Sequence, residues 1–167
     1  MYIKKWYSTK YKFIYFNEEL SKLSEILQTN DEPIIVLRED NTLFNLVTPE
    51  DFKFIISHNE NKKIFEIFDP VEYFLYDDDM VEDALLLMID NRVKVLPVVD
   101  SEMYPLGIFG FFEVIKAFKG VSAMDEPGTK VVLQLDDKPG SLKKIIDILS
   151  VENINILSLL KHIHLVY

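Results

Sequence analysis

The chain has 167 residues, of which 49% are apolar and 28% charged, with no cysteine and with 28 acidic against 18 basic side chains. A chain near this length buries about two-thirds of its unfolded surface, so one domain or two small ones can form without disulfides or metal, and thiol catalysis and thiolate metal sites are excluded. The net charge of −10 argues against nucleic acid, where affinity rests on Lys and Arg displacing counterions. The longest apolar run, from Ala84 to Ile89, is far short of the ~20 residues that cross a bilayer, and we expect a cytoplasmic protein without membrane contact. The acidity is local: residues 71–128 hold 4 bases and 12 acids, which is −8 of the total.

In chain order, residues 11–16 read as a strand and Asn17 as a helix cap, followed by an apolar helical face at Leu20, Leu23 and Leu27. Residues 32–37 form a second strand, 38–42 a turn, 43–47 a third strand and 50–56 a closing helix. The same order returns in residues 71–118: a strand at 71–76, Asp77–Asp79 as a charged helix cap, and a helix with Val81, Ala84, Leu85 and Met88 on one face. Strands at 93–99 and 105–112 and a short helix at 113–118 complete it, with Phe109, Phe111 and Phe112 read as core. Pro33 and Pro97 are taken as corresponding positions, and two copies of one unit occupy about 1–120. Residues 121–128 read as a linker; beyond it come a strand at 130–135, a turn at Asp136–Ser141, a helix burying Leu142, Ile145, Ile146 and Leu149, and a strand from Asn153. The boundaries are therefore 1–64, 65–120, 121–128 and 129–167, and the class is α/β.

The junction Thr48-Pro-Glu-Asp51 puts a hydroxyl and a carboxylate three residues apart where a strand gives way to a helix. Such a junction can receive an anionic group on exposed N–H groups, with the carboxylate accepting ribose hydroxyls. It is equally an ordinary cap, with Thr48 at the N-cap and Pro49 at the first helical position.

The tandem units, with Leu96-Pro-Val-Val-Asp100 and Leu106-Gly-Ile-Phe109 before a closing helix, resemble a pair of cystathionine-β-synthase (CBS) domains forming a pseudo-twofold Bateman module over residues 8–120. The resemblance implies a non-catalytic regulatory module that binds an adenosine-containing ligand such as AMP, ADP, ATP, adenosine or S-adenosylmethionine, needs no further cofactor, and pairs as a homodimer. The family's ligand motif falls on Thr48 and Asp51, with Phe13 and Ile34 lining the adenine slot. In the second copy the motif positions are Gly110 and Glu113, where the hydroxyl is missing and the carboxylate is longer, and the first copy has Asn45 where the family has glycine. One competent site, at Thr48 and Asp51, is expected; the alternative is a structural dimerisation module with empty sites.

Residues 131–142, with Asp137-Lys-Pro-Gly140 before a helix, resemble the start of an ACT domain, a ferredoxin-like unit that binds amino acids near the glycine, here Gly140. The order CBS, CBS, ACT resembles the acetoin-utilisation-type regulatory proteins. The 39 residues after the linker supply only a βαβ half of such a unit, since about 65–70 are needed. No metal site is expected. His162 and His164 share one strand face without a third ligand, His58 stands alone, and Asp77–Asp79 is explained as a cap. Trp6 and Tyr7 are read as packing of an N-terminal arm.

Overall fold

A computed structural model describes residues 1–51 and 61–160. The chain forms two compact units, residues 1–116 and 117–167.

The first unit contains both repeats. Strand β1 (Lys12–Tyr15), helix α1 (Leu20–Gln28), β2 (Ile34–Leu37) and β3 (Leu43–Val47) form the first; β4 (Leu75–Tyr76), α2 (Val81–Asp90), β5 (Val95–Val99) and β6 (Pro105–Gly110) form the second, and α3 (Phe111–Val121) follows. Each sheet has its middle strand between a parallel and an antiparallel neighbour: β1-β2-β3 and β4-β5-β6. The β1–β2 and β4–β5 pairs are parallel because a helix carries the chain back across the sheet between them.

The alternation of a strand explains the core. On one face of the first sheet Ile14, Ile34, Val36, Phe44 and Val47 pack on Leu20, Leu23 and Leu27 of α1 and on Ile64. The opposite face carries Ile35, Leu37 and Leu43, which pack with Tyr11, Tyr15 and Leu46 against Val99, Ile108, Phe74 and Met103 of the second repeat. Both faces of β2 are thus dry, which is why all four of its residues are apolar and buried. Each large apolar side chain so buried contributes roughly 1.5–3 kcal/mol.

Register fixes the correspondence of the repeats. The irregularity in the antiparallel pair falls after Val36 in one and after Val98 in the other, so Asn45 matches Gly107, Thr48 matches Gly110 and Asp51 matches Glu113. The prolines do not correspond. Ile34 pairs with Val47 as Leu96 pairs with Phe109, which sets Pro97 against Ile35 and leaves Pro33 before its strand.

Helix capping also departs from expectation. Neither α1 nor α2 has a side-chain cap; their N-caps are Glu19 and Met80. Instead the Leu20 N–H donates to the Lys62 carbonyl (2.8 Å) and the Val81 N–H to the Met1 carbonyl (2.7 Å). Asn17 donates to Glu39, and Asp79 accepts the N–H of Tyr76. A carbonyl from a distant segment satisfies each helix end as a side-chain oxygen would. Residues 1–8 therefore serve the second repeat as residues 62–69 serve the first. The Ile3 N–H donates to the Asp79 carbonyl where the Ile64 N–H donates to that of Glu18, and both isoleucines are fully buried.

Phe109 is core, but Phe111 and Phe112 open helix α3 and are exposed, the latter at 66%. Of the expected closing helix of the first repeat, the described part is a 3-10 turn, Pro49–Asp51; the rest, with His58, lies outside the described residues, as do His162 and His164.

The second unit differs from the expected strand, helix and strand. Its described residues include helix α4 (Ser141–Val151) and no strand, and residues 130–135 and 154–160 make no ladder. A strand exists only when another backbone edge answers its N–H and C=O groups. Val131, Val132 and Leu133 are exposed, Val132 at 81%, and no residue of α4 is buried, so Leu142 and Ile146 do not line a core.

Candidate functional site

Thr48 follows β3 directly, at the sheet end where β2 begins and β1 lies alongside, since Val47 pairs with Ile34 and Ile34 with Lys12. The turn Pro49–Asp51 then folds the chain back so that the Asp51 N–H donates to the Thr48 carbonyl at 3.0 Å. Asp51 Oδ2 accepts from both the backbone N–H of Thr48 (2.7 Å) and its Oγ1 hydroxyl (2.9 Å). Only the carboxylate half of a capping arrangement is present: Thr48 Oγ1 donates to Asp51 and accepts no backbone N–H among the described residues, so the expected Thr48 side-chain cap is replaced by the Thr48–Asp51 pair itself. The turn locks the carboxylate in place through Oδ2, and a carboxylate offers about four lone-pair directions, so acceptor capacity for a diol remains. Because the Thr48 hydroxyl proton points at Asp51, its lone pairs are what it presents outward; donating to a phosphate requires the hydroxyl to rotate.

Glu113 repeats the geometry with less to offer. Its Oε2 accepts the Gly110 N–H (3.1 Å), its Oε1 lies 3.5 Å from Lys116 Nζ, and the residue is 8% exposed. Gly110 brings no hydroxyl.

The two residues expected to line the adenine slot part company. Phe13 is 52% exposed, edge-on to Tyr15 with ring centroids 5.9 Å apart, on the β1 face that looks toward the second repeat. Ile34 is 0% exposed and belongs to the core under α1. The pleat turns its side chain away from the face that carries Phe13.

Asn45 occupies the place where the second repeat has Gly107. A Cβ at Gly107 would overlap the Ser8 carbonyl oxygen, because residue 8 pairs directly with Ile108 (2.9 and 3.0 Å). In the first repeat the corresponding segment bonds β3 differently, with the Val71 N–H donating to the Phe44 carbonyl (2.7 Å). Asn45 Nδ2 donates to the Asp69 carbonyl (2.7 Å) while Oδ1 accepts the N–H of Leu46 (2.6 Å). The asparagine replaces a backbone pairing and is spent on the connecting segment.

Residue-level reading of the sequence missed Glu50 and Lys94. They form an ion pair that joins the two repeats across 44 positions of sequence, a separation over which no local pattern signals contact. Gly140 is the N-cap of α4 with φ +87°, and a Cβ there would meet nothing within 4 Å; glycine is required by backbone conformation, not by crowding. Among the described residues no group of three His, Asp or Glu side chains is placed to hold a metal ion.

Residues 65–120 match the family model of the CBS domain. Solved structures extend the likeness to the pair. A CBS domain pair/ACT domain protein from Thermotoga maritima is 23% identical, with TM-score 0.58, over 71% of this chain and 96% of that one. A CBS domain pair solved in complex with 5'-methylthioadenosine and S-adenosyl-L-methionine is 20% identical, with TM-score 0.61, over 72% and 97%. The cytosolic domain of the Mg2+ channel MgtE, solved with ATP, is 22% identical, with TM-score 0.58, over 67% of this chain. The chain spans about half the length of the magnesium-transporter domains it matches, 46% and 47%. At these identities what is shared is the fold: the first unit has the architecture of a CBS domain pair.

Proposed function

We propose that this chain is a non-catalytic regulatory module that takes an adenosine-containing ligand at the Thr48–Asp51 turn. The observation that carries the reading is the locked hydroxyl and carboxylate at the end of the first sheet, together with the half-exposed Phe13 ring on the face shared with the second repeat. Structures of the same fold have been solved with AMP, with ATP, and with S-adenosylmethionine and methylthioadenosine, which supports this ligand class. Asp51 would accept the ribose hydroxyls, and Phe13 would offer a ring to the base. Ligand binding can act only through a difference in affinity between two arrangements of the repeats or of paired chains.

The reading extends to a cytoplasmic homodimer, with the C-terminal unit as the beginning of an ACT-like domain and an amino acid near Gly140. That last element depends on strand partners beyond those described. Thermal shift and calorimetry with adenosine, AMP, ATP and S-adenosylmethionine test the module. Asp51→Ala is expected to remove at least tenfold of the affinity, and absence of binding by all four at millimolar concentration would refute the reading.

A second reading, a dimerisation module with empty sites, is favoured by the exposed apolar residues Phe112, Ile115 and Phe118 on α3 and by the missing hydroxyl at Gly110. The two readings separate on ligand binding alone.

A further inference from the structure

Lys94 touches both motif turns. Its backbone carbonyl accepts the N–H of Phe111 (3.3 Å) and lies 3.2 Å from where a Cβ on Gly110 would stand, so the residue sits against the turn of the second repeat. Its ammonium reaches Glu50, within the Thr48–Asp51 turn of the first. Among the described residues this is, apart from the Met1–Glu82 pair of the N-terminal arm, the single salt bridge between the repeats. The matching positions are Glu32 and Phe112, which cannot pair, so the clasp exists on one side only. Both partners are exposed, Lys94 at 63% and Glu50 at 68% of the side chain, so the pair is weak and open to exchange with solvent anions.

We infer that Lys94 is a specificity-determining residue that selects a phosphorylated over an unphosphorylated adenosine ligand, by leaving Glu50 for the ligand's phosphate. The inference rests on the adenosine-site reading above. A phosphate beside Thr48 would meet Glu50 and Asp51, two carboxylates that repel it, and among the described residues the cation ion-paired to this turn is Lys94. Exchange of one anionic partner for another keeps the ammonium paired, and a phosphate carrying about two charges is the stronger partner. Glu50 then acts as a competitor that holds the cation while the site is empty.

Calorimetric titration with AMP and with adenosine, on the full chain and on Lys94→Gln, Lys94→Arg and Glu50→Gln, reads this out. Lys94→Gln is expected to weaken AMP about two- to fivefold while adenosine is unchanged, Lys94→Arg to restore AMP, and Glu50→Gln to tighten AMP by a similar factor. The effect should shrink with added salt. An AMP-to-adenosine ratio that Lys94→Gln does not move overturns the inference and leaves the site standing. Failure of both compounds to bind the unaltered chain overturns the site and the inference together.

Discussion

The two repeats share register, topology and even the way a distant carbonyl caps their helices, yet they differ where function would reside. The first has Thr48, Asp51 and an asparagine at position 45; the second has Gly110, a buried Glu113 and Gly107. The difference reaches into the backbone. Gly107 lets residue 8 pair with Ile108 through both backbone bonds, whereas Asn45 bonds the connecting segment through its own side chain. Two copies of one fold thus keep a common scaffold while a few positions at the turn after the third strand differ in the groups they present.

The largest expected break in this symmetry comes from the core. Phe109 is fully buried at the place where the first repeat has Val47, so Phe109→Ala should cost about 3–5 kcal/mol and Val47→Ala less, as measured by chemical denaturation. Next is transfer of one repeat's solution to the other. Gly107→Asn would drive a side chain into the Ser8 carbonyl, and overpacking of this kind costs about 1–3 kcal/mol. Hydrogen exchange should then show residues 1–8 losing protection, while Asn45→Gly should leave them unaffected. Asn45→Ala removes the bond to Asp69 and is expected to cost about 1 kcal/mol.

Much of this was legible in the sequence, for physical reasons that differ by element. The third strand of the first repeat agrees with β3 residue for residue because residues 43–47 are apolar on both sides of Asn45 and set off by turn residues. Leu20, Leu23 and Leu27 announced α1 by spacing alone. The motif correspondence of Thr48 with Gly110 and Asp51 with Glu113 follows from strand register and could be read from repeat alignment. What escaped is tertiary. The helix caps come from Met1 and Lys62, and the Glu50–Lys94 clasp spans two repeats. Expected strands in the second unit are apolar stretches of strand length with no edge to pair with among the described residues, which composition cannot reveal.

The smallest predicted effect concerns pH. The N-terminal ammonium bonds Glu82 at 2.9 Å and holds its carboxyl below the ordinary glutamate range. A depressed carboxyl stabilises the fold fully above its ordinary value and loses that contribution as pH falls toward the lower folded value. Trp6, the single tryptophan, lies in the arm that this pair anchors. Its emission should show a slight acid-induced loosening between those two values that Glu82→Gln abolishes, and an identical acid response in that variant would exclude Glu82 as the source.

The central claim is that the first repeat holds the competent site and the second does not. Its most direct test is the stoichiometry of AMP or S-adenosylmethionine binding per chain by titration calorimetry, on the unaltered protein and on Asp51→Ala and Glu113→Ala. One site per chain is expected, lost with Asp51→Ala and kept with Glu113→Ala. Two sites per chain, or a single site lost only with Glu113→Ala, would contradict it.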